Sequence, residues 1–126
     1  MAFILFKNNP RNRNVGDCVI RATSKALDIS WDAAYIDLVI QGYMMADMPS
    51  SNSVLNAYLH AQGFKKYVIP NDCEDCYSIE DFCRDHPHGI YIACTGTHTV
   101  AVIDGDFYDS WDSGDETPIY FYKREN

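Results

Sequence analysis

Apolar residues recur at helical spacing through the first half of the chain and in short strand-like runs through the second. After a possible short strand at Phe3 to Phe6, the segment Lys7 to Gly16 is polar, holds Pro10 and four asparagines, and reads as a loop. Asp17 is a suitable N-cap for a helix beginning at Asp17 or Cys18, with Val19, Ile20, Ala22, Ala26 and Leu27 as its apolar stripe. Ser30 can cap a second helix through about Met45, with Trp31, Ala34, Tyr35, Leu38 and Val39 turned inward. A third opens at Ser51 to Ser53 and stops at Gly63, and Ser78 with Asp81 has capping-box spacing for a short fourth ending before Pro87. Phe64 to Ile69, Ile90 to Cys94, Thr97 to Ile103, Phe107 to Trp111 and Ile119 to Lys123 are rich in Tyr, Ile, Val and Phe and read as strands. Helices first and strands last predict an α+β fold, an N-terminal helical half packed on a C-terminal antiparallel β-sheet.

Length adds that residues 1–126, with 47% apolar positions and no repeat or Pro, Gly or Ser-rich linker, form a single domain with one sizeable core. The net charge of −8 has the wrong sign for neutralising phosphates, so no nucleic acid is expected as partner. That charge is uneven: Lys7, Arg11, Arg13, Arg21 and Lys25 face only Asp17, a local +4 around the first cysteine, leaving −12 for the rest. No window approaches the ~20 apolar residues of a membrane helix, and the apolar start is too short for a signal peptide. The expectation is a cytoplasmic protein with no membrane association. Five cysteines, an odd number, fit a reducing compartment and leave at least one thiol free.

Candidate chemistry follows from a turn. Asp104 and Gly105 between two strand-like runs are a strong signal for a two-residue hairpin. If Ile103 pairs with Asp106, then Val100 faces Asp109, His98 faces Trp111, and all four project from one face. Asp109 is then diagonal to His98 at a backbone separation of ~7–8 Å, which the two side chains can close to a hydrogen bond under the indole of Trp111. A histidine oriented by a carboxylate is a base, and Cys18 is the candidate nucleophile. A thiol in the first turn of a helix meets the positive end of the helix dipole and free backbone N–H groups, both of which favour the thiolate. Arg11, Arg13 and Arg21 act in the same direction. An amide side chain upstream, Asn12 or Asn14, could complete an oxyanion hole with the N–H of Cys18.

Cys18 at a helix start, His98 at the start of a later strand, and Asp109, Ser110 and Trp111 on the next strand resemble the papain-like cysteine peptidase superfamily. The resemblance implies a papain-like fold, Cys18 as nucleophile, His98 as general base and acid, Asp109 as the residue orienting it and Trp111 as the shield of that pair. Asn12 stands six residues before Cys18, at the offset of that family's oxyanion glutamine. The Cys-Gly-Ser-Cys-Trp run of papain is absent. In length and in its Asp the chain is more similar to the compact bacterial and phage branch that includes the double-glycine leader peptidases. Val15 to Ala22 also resembles the segment around the cysteine of the ovarian-tumour deubiquitinases. The implied activity is a cysteine hydrolase (thiol protease) that cleaves a peptide or isopeptide bond in a peptide or protein substrate through a thioester, without a cofactor. The alternative is a catalytically inactive papain-like domain that binds a partner in the same cleft.

Taken singly, Cys18 reads as a buried small hydrophobe and His98 and Trp111 as structural residues. Their joint order along the chain is what points to chemistry. Cys73, Cys76 and Cys83 with His86 or His88 invite a zinc reading, yet Cys76 to Cys83 is short for a zinc ribbon and the usual second pair is missing, so no metal is expected. The acidic stretch Asp72 to Asp85 reads as a solvated face, and Tyr43, Met44, Met45 and Met48 as the end of a core helix.

Overall fold

A computed structural model describes residues 2–70 and 77–125. The fold is α+β: β1 (Phe3–Leu5), α1 (Cys18–Leu27), α2 (Trp31–Met45), α3 (Asn52–Ala61), β2 (Phe64–Val68), α4 (Ile79–Asp85), β3 (Ile90–Cys94), β4 (Thr99–Ile103), β5 (Asp106–Asp109) and β6 (Tyr120–Arg124). No described helix is long and apolar enough to cross a membrane.

The helix signals act mostly as their chemistry dictates. Ser30 and Ser51 accept from the N–H groups of Ala33 and Val54, at 3.0 and 3.2 Å. Ser78 and Asp81 form the reciprocal capping box, with bonds of 3.0 and 3.2 Å. Asp17 departs from expectation. It precedes α1, but its side chain makes no cap bond, because Arg21 and the Trp31 indole occupy its two oxygens. The end of α2 needs glycine: a Cβ on Gly42 would lie 2.8 Å from the Asp47 carbonyl oxygen, where the chain folds back.

The sheet is six-stranded in the order β1-β5-β4-β3-β6-β2. It is mixed rather than antiparallel, since β1 runs parallel to β5, with Phe3 opposite Phe107 and Leu5 opposite Asp109. The first residues thereby cover the open edge of β5 and set the Phe3 ring against that of Phe107, tilted by 40° at 5.5 Å between ring centres. The other pairings are antiparallel. Asp104 and Gly105 turn between β4 and β5 with φ of 50° and 83°, and Ile103 pairs with Asp106, Val102 with Phe107 and Ala101 with Tyr108, in the register the turn predicts.

Helices lie on both faces of this sheet, not on one side only. Ile20, Ala26, Leu38, Leu55 and Leu59 from α1 to α3 pack with Ile92, Cys94 and Ala101. Ile79 and Phe82 of α4 pack with Tyr91, Ala93, Val100 and Val102 on the opposite face. Central β3 and β4 are therefore buried on both sides, which explains their unbroken apolar sequences. Burying even one such Val or Ile is worth ~1.5–3 kcal/mol. Tyr35 does not face inward. Ala34 and Leu38 fill that side of α2, while Tyr35 is 45% exposed and stacks on Trp31.

Candidate active site

Cys18 is the first residue of α1, so its N–H has no partner within the helix and faces the free end. His98 stands one residue before β4, held by the turn that follows β3. Its N–H donates to Thr95 Oγ1 at 3.1 Å and its carbonyl accepts from the Thr95 N–H at 2.9 Å. Asp109 is the last residue of β5 and wholly buried. These elements meet because α1 packs across β4 and its neighbours, which brings its N-terminus to the end of the β4-β5 hairpin.

His98 Nε2 lies 2.6 Å from Asp109 Oδ2. The His98 ring also forms a side-chain hydrogen bond with Cys18, and the Thr99 N–H donates to the Cys18 sulfur. The imidazole thus stands between the thiol and the carboxylate. The indole of Trp111 lies 5.1 Å from the His98 ring, covering it with one side while 47% of the residue stays exposed. Val100 does not share this face. It enters the core beneath α4, whereas His98 and Asp109, at the end of the ladder, turn towards α1.

Asp109 is more heavily tied than the hairpin alone implies. Ser113 donates its hydroxyl to Oδ2 at 2.6 Å, and Arg21 and the Ser110 N–H donate to Oδ1 at 3.0 and 2.7 Å. Arg21 also donates to Asp17 Oδ1 at 2.7 Å, and the Trp31 Nε1–H donates to Asp17 Oδ2 at 2.9 Å. A row of alternating charges results, running from Asp17 through Arg21, Asp109 and His98 to Cys18. The site roles of Ser113, Thr99 and Trp31 escape the sequence reading. Ser113 is held by α4, whose first N–H groups, on Ile79 and Glu80, donate to the carbonyls of Glu116 and Gly114.

The row sets the ionisation of its members. Burial alone would push the Cys18 thiol up, but the hydrogen bonds from His98 and the Thr99 N–H and the nearby positive charges outweigh it and hold the thiol below its ordinary value. Burial likewise disfavours a charged His98. The bonds to Asp109 and Cys18 reverse that and push it up to about 9. Burial raises Asp109, while His98 and Ser113 prevail and hold it below the usual carboxylate range. The arrangement favours a thiolate beside an imidazolium, which is a nucleophile with a proton donor in reach. Cys83 and Cys94 behave oppositely: burial pushes both up to about 12.

Two cavities flank the loop before Cys18. A polar one of about 230 Å³ is lined by Lys7, Asn12, Arg13, Asp17, Arg21 and Trp111, among others. An apolar groove of about 690 Å³ lies on the other side, between the loop and Val19, Trp31, Tyr35 and Met48. Asn12 is exposed at the first cavity with φ of 53°, its N–H held by the Asn9 carbonyl at 2.9 Å. Among the described residues no hydrogen bond joins it to Cys18. No three described His, Cys, Asp or Glu side chains are grouped to share a metal ion, and Cys73 and Cys76 lie outside the described residues. Comparison with protein-family models, curated proteins and solved structures finds no match to this chain.

Proposed function

We propose that this protein is a cysteine hydrolase of papain-like fold that cleaves a peptide or isopeptide bond and works in a reducing, cytoplasmic compartment. The observation that carries this reading is His98, bonded on one side to Cys18 and on the other to buried Asp109. The Cys18 thiolate adds to the substrate carbonyl carbon, and the oxygen that becomes negative is met by the Cys18 N–H and by Asn12. Protonated His98 then gives its proton to the departing amine as the C–N bond breaks, leaving a thioester on Cys18. Neutral His98 next takes a proton from water, whose oxygen attacks the thioester, and keeps it as the C–S bond breaks, so that the acid product leaves and the Cys18 thiolate stands again beside protonated His98. Asp109 holds the ring in the orientation both transfers need, and Trp111 limits water on one side.

The test is the rate of Cys18 alkylation by iodoacetamide from pH 4 to 9, read by peptide mass spectrometry in wild type and His98→Ala. Fast reaction at pH 5 to 6 that disappears with His98 supports the nucleophile. An ordinary thiol profile, with its pKa near ~8.5, refutes it and favours the inactive binding domain.

A further inference from the structure

We infer that the polar cavity beside Trp111 is a subsite for a carboxylate of the substrate, held by Lys7 and Arg13. This rests on the reading of Cys18 as nucleophile and names the class of substrate it would meet. Three observations lead to it.

The first is charge. Asp17, the one carboxylate in the lining, is committed through both oxygens to Arg21 and Trp31, and Arg21 is itself neutralised by Asp17 and Asp109. Lys7 and Arg13 remain, both exposed and without an ion-pair partner among the described residues. Asn9 directs its oxygen to the N–H groups of Arg11 and Arg13, at 2.9 and 3.3 Å, which leaves its NH2 as a donor at the same wall. The wall thus offers donors and positive charge, which suit an acceptor-only anion such as a carboxylate.

The second is size and place. About 230 Å³ is below the ~300–1,000 Å³ of sites for whole small molecules and suits one acidic side chain or chain end. The cavity also reaches Ser110 and Trp111, which directly follow Asp109, and the Trp111 indole lies 5.1 Å from the His98 ring. A carboxylate there sits against the residue that covers the candidate base.

The third is the field of the whole molecule. The first 25 residues carry +4 against −12 for the rest, so this segment attracts an acidic peptide more strongly than most of the surface, the edge formed by Lys65, Lys66, Lys123 and Arg124 apart.

The experiment compares two alkylating agents of equal size, iodoacetate and iodoacetamide, on Cys18 at pH 6.5 and low salt. The ratio of their rates isolates the charge of the reagent from the reactivity of the thiol. The K7Q/R13Q protein is expected to show that ratio reduced at least fivefold, and an unchanged ratio overturns the subsite. In parallel, the Trp111 indole N–H resonance is followed by NMR during titration with N-acetylglutamate and N-acetylglutamine, both as α-methylamides, and with N-acetylalanine. A glutamate response at least fivefold tighter than glutamine, lost in K7Q/R13Q, supports a side-chain carboxylate. The same preference for N-acetylalanine supports a chain-terminal one. Equal responses to glutamate and glutamine, with none to N-acetylalanine, overturn both. Should Cys18 be inert to both reagents while the carboxylates still shift Trp111, the hydrolase reading fails and the carboxylate site stands.

Discussion

Arg21, on the first turn of α1, donates to Asp109, at the end of β5, at 3.0 Å across 88 positions of sequence. Both side chains are almost wholly buried, and the same guanidinium holds Asp17 at 2.7 Å. This bridge fastens the helix that carries the thiol to the strand that orients the histidine. Removing one partner from a buried ion pair strands the other, at a cost of ~3–5 kcal/mol. Arg21→Met is therefore expected to lower the stability of the whole protein by about that amount, read from urea denaturation, with Arg21→Lys falling between. A loss below ~1 kcal/mol in Arg21→Met would show that the bridge contributes little.

Ser113 is fully buried and gives Asp109 its 2.6 Å hydroxyl bond. Ser113→Ala leaves an acceptor short of one donor in a dry site, which costs ~1–3 kcal/mol. A thermal melt should show this loss, and the Cys18 alkylation rate should fall with it as the imidazole loses its fixed orientation. An unchanged rate would confine Ser113 to stability.

Asp109→Asn removes the charge that holds His98 up at about 9. The NMR titration of the His98 ring is expected to move down by more than one unit, and the pH range over which Cys18 reacts as a thiolate should narrow with it. A His98 titration still near 9 in this variant would mean that Cys18, not Asp109, sets the value.

The pH dependence of stability has two opposing parts. His98 rises from 6.5 to about 9 on folding, so it stabilises fully below 6.5 and loses that contribution as pH climbs towards 9. Cys18 is lowered from 9.0, so its contribution is present above 9.0 and is lost as pH falls through its folded value. Between 6.5 and 9 the two slopes act against each other, and the wild-type protein should change less with pH than Cys18→Ala, each taken relative to C18A/H98Q. Cys18→Ala keeps the His98 and Asp109 bond alone and should lose stability as pH rises through that window. Urea midpoints at pH 6.5, 7.5 and 8.5 decide it, and a Cys18→Ala protein as flat as wild type would contradict the ionised pair.

Cys83 and Cys94, buried and pushed up to about 12, should resist alkylation in the folded protein at pH 7 while Cys18 reacts. Both should label on addition of denaturant. Early labelling of either would mean that its core opens locally.

Much of this geometry was legible because it follows from local chemistry. The Asp104-Gly105 turn imposes its register on the hairpin, and that register puts Asp109 within reach of His98. Serine caps announce α2, α3 and α4 because each supplies an acceptor to a free N–H. Asp17 misleads for the converse reason: its oxygens go to Arg21 and Trp31, partners set by packing rather than by position in the helix. The parallel pairing of β1, the second helical layer under α4 and the bond from Ser113 also depend on where distant segments arrive, and no spacing in the sequence encodes them.

The row of charges from Asp17 to Cys18 draws its members from distant parts of the chain. A ribosome delivers the thiol of Cys18 eighty residues ahead of the imidazole of His98. Until β4 and β5 pair and dock on α1, the sulfur lacks the histidine and the backbone N–H of Thr99 that favour its ionisation. Before that it has only the ionisation of an ordinary thiol. The groups that favour the thiolate arrive only with the closing of the sheet, so the lowered ionisation of Cys18 is a product of folding.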